Sequence, residues 1–435
     1  MIRALLASLT FATVATAAAA MEFPDPVTDD AYRPTDPQVV ALGRLLFWDP
    51  ILSGNRNISC GTCHHPAFGT GDGLALGLGE GGRGLGPDRA ADPDNPPEQR
   101  IPRNAPGLWN LGAREFTVLF HDGRIEATAA GLRTPMGPEM AQGFATLLSA
   151  QTMFPVLSPD EMAGHYSENE VAQAVRQGLI TGPDGAWDRL SARVRAIPEY
   201  AAMFEAAMPG RHVDFTAISD AIAQFVEHEW RSDAAPFDAW LRGTGDLHPR
   251  ALEGVELFYG SLGCADCHAG PFQTDHGFHA TGQPQLGPGK AARFETHARD
   301  EGRARVTGRA ADRFAFRTPS LRNVTETGPW GHAGAYDNLR DFLRAHAAPR
   351  RALAAPPRDV ALPALPVEDW RIMDDPAEVQ AISAAVTGPD RVLSEAEVTA
   401  LMAFLETLRD ERALRGRLGT PATVPSGLPV DLLPE

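Results

Sequence analysis

Lysine is nearly missing from this chain: Lys290 is the only one, and arginine supplies the rest of the fixed positive charge. Acidic side chains outnumber basic ones, 56 against 39, for a formal net charge of −17. That balance argues against nucleic acid and against an anionic membrane surface as partners, and favours a basic or neutral protein partner. After residue 20 no apolar run approaches the length of a membrane span, so no span is expected. Alternating strand patterns are scarce, which excludes a sheet-dominated fold. No Ser-His-Asp set and no phosphate-cradling glycine loop is present. Cysteine is scarce too, with four in 435 residues.

All four cysteines fall in two C-x-x-C-H segments, Cys60-Gly-Thr-Cys63-His64 and Cys264-Ala-Asp-Cys267-His268. This is the attachment pattern of c-type haem. Two thiols at this spacing reach the two vinyl groups on one porphyrin edge. The adjacent histidine then offers a ring nitrogen to iron from below. A zinc site would use the four cysteines together and gives no reason for a histidine after each pair. A thioredoxin-like dithiol and disulfides are the other rivals. Two covalent haems are expected, and no cysteine is then left over.

Met1–Ala20 has a positive residue, Arg3, then a largely apolar run, then Ala17 to Ala20. This reads as a cleavable secretory signal, so the mature chain is expected in the periplasm. The rest divides into two units of ordinary size, 21–235 and 236–435, with Ser232–Pro236 as the linker. Asp36-Pro37 opens a helix carrying Val39, Val40, Leu42, Leu45 and Leu46. Pro249 opens another carrying Leu252, Val255 and Phe258. Each runs shortly ahead of a C-x-x-C-H segment, which suggests a duplicated helix–turn–haem unit. Helical spacing also marks Ala163–Gly178, Trp187–Met208, Phe215–Leu241 and Ser394–Arg409. Ser394 and Glu397 form a capping box on the last. Gly71–Pro106 reads as a long irregular loop and Ala347–Pro366 as an extended excursion. The expected class is mostly α, with two cytochrome c-like haem domains, long loops and little β structure.

Longer ordered segments include LGRLLFWDPILSGNRNISCGTCHHPAFGTGDG, IPRNAPGLWNLG, FHDGR, PFDAWLRG, DEGRARVTG and FAFRTPSLRNVTETGPWGHAGAYDNL. On these the chain resembles the bacterial di-haem cytochrome c peroxidases and their relative, the tryptophan-modifying enzyme MauG. The resemblance covers most of the mature chain, and Ala347 to Asp390 falls outside it. It implies a peroxide-reacting haem on His64 and an electron-transfer haem on His268. Glu139, in Pro138-Glu139-Met140, matches the family's distal carboxylate. Its competing reading is a helix-start carboxylate. Where the family has an upstream glutamine, this chain has Ala129. Many members carry a removable histidine on the peroxidatic iron. The matching stretch, Leu76 to Arg83, has none, so this iron is expected to be open unless His121 or His165 closes it.

The resemblance places the sixth ligand of the second haem fourteen residues after His332, where relatives have Met or Tyr and this chain has His346. Met373 is the competing candidate. His121 stands where the family usually has a tryptophan between the haems, and Trp109 is a nearby aromatic that reads equally well as core. Asn104, Thr327 and Pro329 match the family's interdomain calcium site, which takes oxygen ligands.

The function so implied is peroxide reduction with electrons from a small cytochrome c or cupredoxin. One alternative is a MauG-like enzyme that oxidises residues of a partner protein through high-valent iron. Another is a di-haem electron carrier or sensor without peroxide chemistry. The resemblance also allows a homodimer.

Overall fold

The computed structural model describes residues 21–291 and 295–433. The signal-like segment Met1–Ala20 lies outside the described residues. The fold is largely α-helical with minor β elements. Among the described residues the strands form three small antiparallel sheets, the largest pairing Val118–Leu119, Ile125–Thr128 and Gly131–Arg133.

Two helix pairs organise the two halves. The helix Pro37–Trp48 starts where Asp36 accepts from the amides of Gln38 and Val39. Proline at its first position costs nothing, because that N–H has no intrahelical acceptor. Its buried face packs on the helix Phe215–Glu229. The approach is close: a Cβ on Gly43 would lie 1.9 Å from the Ala221 carbonyl oxygen. In the second half the helix Pro249–Glu256 packs on Glu395–Glu406. There a Cβ on Gly254 would lie 2.1 Å from the Ala400 carbonyl oxygen. Both crossings therefore need glycine, and both sit just ahead of a C-x-x-C-H turn. The duplication legible in the sequence is a duplication of packing.

Proline subdivides the longer helices expected from apolar spacing. Trp187–Met208 is two helices, Ala186–Arg195 and Pro198–Ala207. Phe215–Leu241 breaks into Phe215–Glu229 and Pro236–Leu241, and 231–235 between them carry no helix. A proline inside a helix removes one hydrogen bond and clashes with the preceding turn. Of Ala163–Gly178 only Glu170–Arg176 is α-helical. The excursion Ala347–Pro366 begins as a short helix, Pro349–Leu353, before it extends, because Pro349 pre-sets a first helical turn. The segment beyond it is anchored by a bidentate ion pair from Arg100 to Asp369, at 2.7 and 2.9 Å.

The chain end returns to the first half. Gly419 O accepts from Arg44, Ser426 donates to Asp49 at 2.6 Å, and Val424 is buried in the first core. The Thr62 hydroxyl, inside the first haem motif, donates to Asp431. Nothing in the sequence pattern announced this strap, because its contacts are single polar pairs between distant residues.

Candidate haem sites

Cys60–Cys63 forms one helical turn, capped by Ser59. The turn projects both thiols on one side and delivers His64 at its end. Burial pushes the Cys60 and Cys63 thiols up to about 12, and Cys264 up to about 11. They are neutral thiols, suited to addition across a vinyl group rather than to thiolate ligation of zinc. Cys267, Asp275 and His279 are the one group of potential metal donors among the described residues, with ligand atoms within 4.8 Å of one another. Thioether formation at Cys267 leaves there an Asp275–His279 hydrogen bond of 2.8 Å.

His64 Nδ1 lies 2.9 Å from Thr70 O, and His268 Nδ1 lies 3.1 Å from Gln273 O. A carbonyl can only accept, so each Nδ1 carries the proton and each Nε2 presents a lone pair. Such a bond fixes the tautomer and orientation of a metal-binding imidazole. Burial lowers the pKa of both rings, His268 to about 4, so both stay in the neutral, ligating form. Both rings are enclosed by protein yet keep accessible surface, as does His346. A void inside the fold therefore adjoins each. These residues fit covalent haem at both motifs.

The two sites differ on the far side of the void. His346, near the end of the helix Leu339–Ala347, faces His268 with ring centroids 6.2 Å apart and planes at 62°. Two metal–imidazole bonds of roughly 2 Å each, with half a ring at either end, span about that distance. Phe342 stacks on His346 and holds its plane, at 5.7 Å and 22°. The His346 Nδ1 is occluded and unpartnered, whereas its Nε2 is not among the occluded atoms. Met373 is buried among Ile372, Ile382 and Phe314, and its sulfur accepts from the Gln285 amide at 3.4 Å.

No second imidazole faces His64 among the described residues. His165 is turned to Asn95, with Nδ1 3.1 Å from Oδ1 and Nε2 occluded. His121 Nε2 lies 3.2 Å from Asn104 O. Burial, reinforced by the Arg103 charge, pushes the His121 pKa down to about 3, so it stays neutral. Glu139 stands exposed on the single turn Glu139–Ala141, with Met140 buried behind it. Trp109 is buried in the first core.

Between the halves, Arg103 holds Asp300 bidentately, at 2.6 and 2.7 Å, and reaches Asp122 at 2.8 Å. Burial favours the neutral Asp300, but the Arg103 guanidinium overrides it and holds the carboxyl well below its usual range. The His332 ring stacks on Phe316 at 3.9 Å. The Asn104 amide donates to His332 O at 2.9 Å, which seats Asn104 against the segment containing Thr327 and Pro329. Asn104 Nδ2 donates to Leu74 O and Ala75 O, so its Oδ1 is left to accept. The sequence had not identified Thr70, Gln273, Phe342 or the Arg103–Asp300 pair; their roles rest on backbone carbonyls and distant partners.

A family model described as di-haem cytochrome c peroxidase matches residues 37–246. The methylamine utilization protein MauG of Methylorubrum extorquens is 30% identical over 325 residues, which is 74% of this chain and 71% of that protein. The cytochrome c551 peroxidase of Nitrosomonas europaea is 30% identical over 340 residues, 78% of this chain and 81% of its own length. The fold matches the crystal structure of a MauG-like protein associated with microbial copper homeostasis, with a TM-score of 0.59 at 24% identity over 92% of this chain and 97% of that one.

Proposed function

The chain belongs to the di-haem cytochrome c peroxidase and MauG family, and from that premise we propose that it reduces hydrogen peroxide at the His64 site with electrons entering at the His268 site. It is a peroxidase-type oxidoreductase with two covalent c-type haems. The observation that carries the reading is the asymmetry of the two voids. His346 faces His268, whereas among the described residues no imidazole faces His64. A closed iron suits electron transfer, and an open one suits a small oxidant.

Haem iron, when bound, supplies the redox chemistry that splits the O–O bond. Peroxide takes two electrons and two protons to become two waters. His64, fixed by Thr70 O, holds one ring nitrogen toward the iron. Glu139, which matches the family's distal carboxylate, takes the first proton from peroxide and returns it to the departing oxygen. His121 is too weak a base for that exchange, since its pKa is near 3. Its Nδ1 lone pair orients water instead. His346, facing His268, would hold the second iron from the other side and leave peroxide no place there.

Asn104 Oδ1 with the carbonyls of Thr327 and Pro329 forms an oxygen-only calcium site beside the Arg103–Asp300 clamp, waters completing the shell. The two haem units divide near Pro236, and the chain end straps back onto the first. The donor is a small cytochrome c or cupredoxin. The leader-like Met1–Ala20 and the covalent haems support a periplasmic location, and no described helix is long and apolar enough to cross a membrane. The test is peroxide-dependent oxidation of a reduced small cytochrome or cupredoxin. Peroxide consumption without donor oxidation favours the second reading, oxidation of a partner protein, which the histidine-free Leu76–Arg83 stretch also supports.

A further inference from the structure

Arg317 is an enclosed guanidinium with no carboxylate. It lies on the strand Phe316–Arg317, which pairs antiparallel with Phe278–His279. Its Nε donates to Phe120 O at 3.3 Å and its Nη1 to Thr318 O at 3.1 Å. Both acceptors are neutral. No ion pair reaches it among the described residues, and burial alone pushes its pKa down to about 10. Its Nη2 carries no hydrogen bond and is not among the occluded polar atoms, so it borders open space inside the fold.

Arg89 also lacks a carboxylate, but no edge of it is left free, and the other deeply buried arginines are paired. Arg322 holds Asp238 at 2.6 and 2.9 Å, and Arg100 and Arg103 hold carboxylates bidentately. Arg89 places Nε, Nη1 and Nη2 on three carbonyls. A buried cation left without a counter-charge is strongly destabilising. Arginine cannot escape by losing its proton. What sets Arg317 apart is its unfilled Nη2 edge: an anion there would supply both the missing acceptor and the counter-charge, and no carboxylate among the described residues does so.

The position says which anion. The Arg317 amide donates to His121 O at 2.7 Å. Thr318 O, which accepts from Arg317, also accepts from Thr274. Thr274 adjoins Gln273, whose carbonyl fixes His268. In the antiparallel pair, Arg317 shares a face with its partner Phe278, which packs against Gly123 of the first half. Phe316, on the other face, stacks on His332. Arg317 thus stands where the His121 segment of the first half meets the strand pair that follows the second C-x-x-C-H motif.

We propose that Arg317 is a haem-carboxylate clamp, its free edge donating to a propionate of one of the two haems. The clamp ties that haem to the junction between the units. It also places a fixed positive charge beside the porphyrin, which favours the reduced iron. The proposal rests on haem at both motifs, so haem content is measured on every sample.

The test is a spectroelectrochemical titration of the holoprotein with Arg317→Leu, Arg317→Gln and Arg317→Lys. The leucine and glutamine variants should lower the potential of one haem, with its reduction equilibrium changed about tenfold, or about 59 mV for one electron. Lysine should restore most of it. A shift in the high-spin haem assigns the clamp to His64, and a shift in the low-spin haem assigns it to His268. In the leucine variant the freed propionate should titrate as an ordinary carboxylic acid, adding pH dependence to that potential. Two attached haems with both potentials and their pH dependence unchanged would overturn the clamp. If leucine blocks folding or haem attachment, the glutamine and lysine variants carry the comparison.

Discussion

His346 faces His268 across a void, ring centroid to ring centroid 6.2 Å. His64 has no such partner among the described residues. Replacing His346 with glycine should convert the second haem from low-spin to high-spin, seen by electron paramagnetic resonance. The His64 signal should barely change. The potential of the second haem should rise, since a strong donor to ferric iron has gone. Met373→Leu should leave both signals intact, because that sulfur already sits in an apolar cluster against the Gln285 amide. A surviving low-spin signal in the glycine variant would remove His346 from the coordination sphere.

Glu139→Gln keeps the shape of the side chain and removes its proton exchange. The reaction with peroxide should slow by roughly two to four orders of magnitude. Stopped-flow mixing measures it. An unchanged rate would leave Glu139 as an exposed helix-start carboxylate.

The Arg103–Asp300 pair should govern an acid-sensitive part of stability. The Asp300 carboxyl is depressed in the folded state, so its contribution is complete above the unfolded value of about 4. It is lost only as pH falls below that value toward the depressed one. Asp300→Asn should cost on the order of 3 kcal/mol at neutral pH, with Asp122 keeping part of the charge balance. The difference in Tm between the two proteins should be constant from pH 5 to 8 and shrink below about pH 4. A difference that grows in acid contradicts this assignment.

If the proposed Asn104–Thr327–Pro329 site holds calcium, a chelator should loosen the contact between the Asn104 segment and the segment holding Thr327 and Pro329. Asn104→Ala should mimic chelation and make further chelator ineffective. Thermal unfolding with and without chelator, on both proteins, is the measurement. Equal chelator sensitivity in both would place any calcium elsewhere.

What the sequence made legible depended on locality. Haem attachment, the caps at Asp36 and Ser394 and the duplicated helices are written in neighbouring residues. His346 was placed by its spacing from His332, and the geometry brings its ring opposite His268. The carbonyls of Thr70 and Gln273 were not legible, because any residue has a carbonyl and only the turn aims it. Arg103 with Asp300 and Thr62 with Asp431 join residues far apart in the chain, which no local pattern predicts. The breaks at Pro198 and Pro236 were legible in principle, but the apolar spacing on both sides continued across them.

The central claim is that the His64 iron is open in the oxidised protein and accepts peroxide without prior reduction of the other haem. Rapid mixing of the fully oxidised holoprotein with peroxide tests it directly. The account predicts a prompt change in the high-spin spectrum, saturating near stoichiometric peroxide. No spectral change at excess peroxide, with two haems attached, would contradict it.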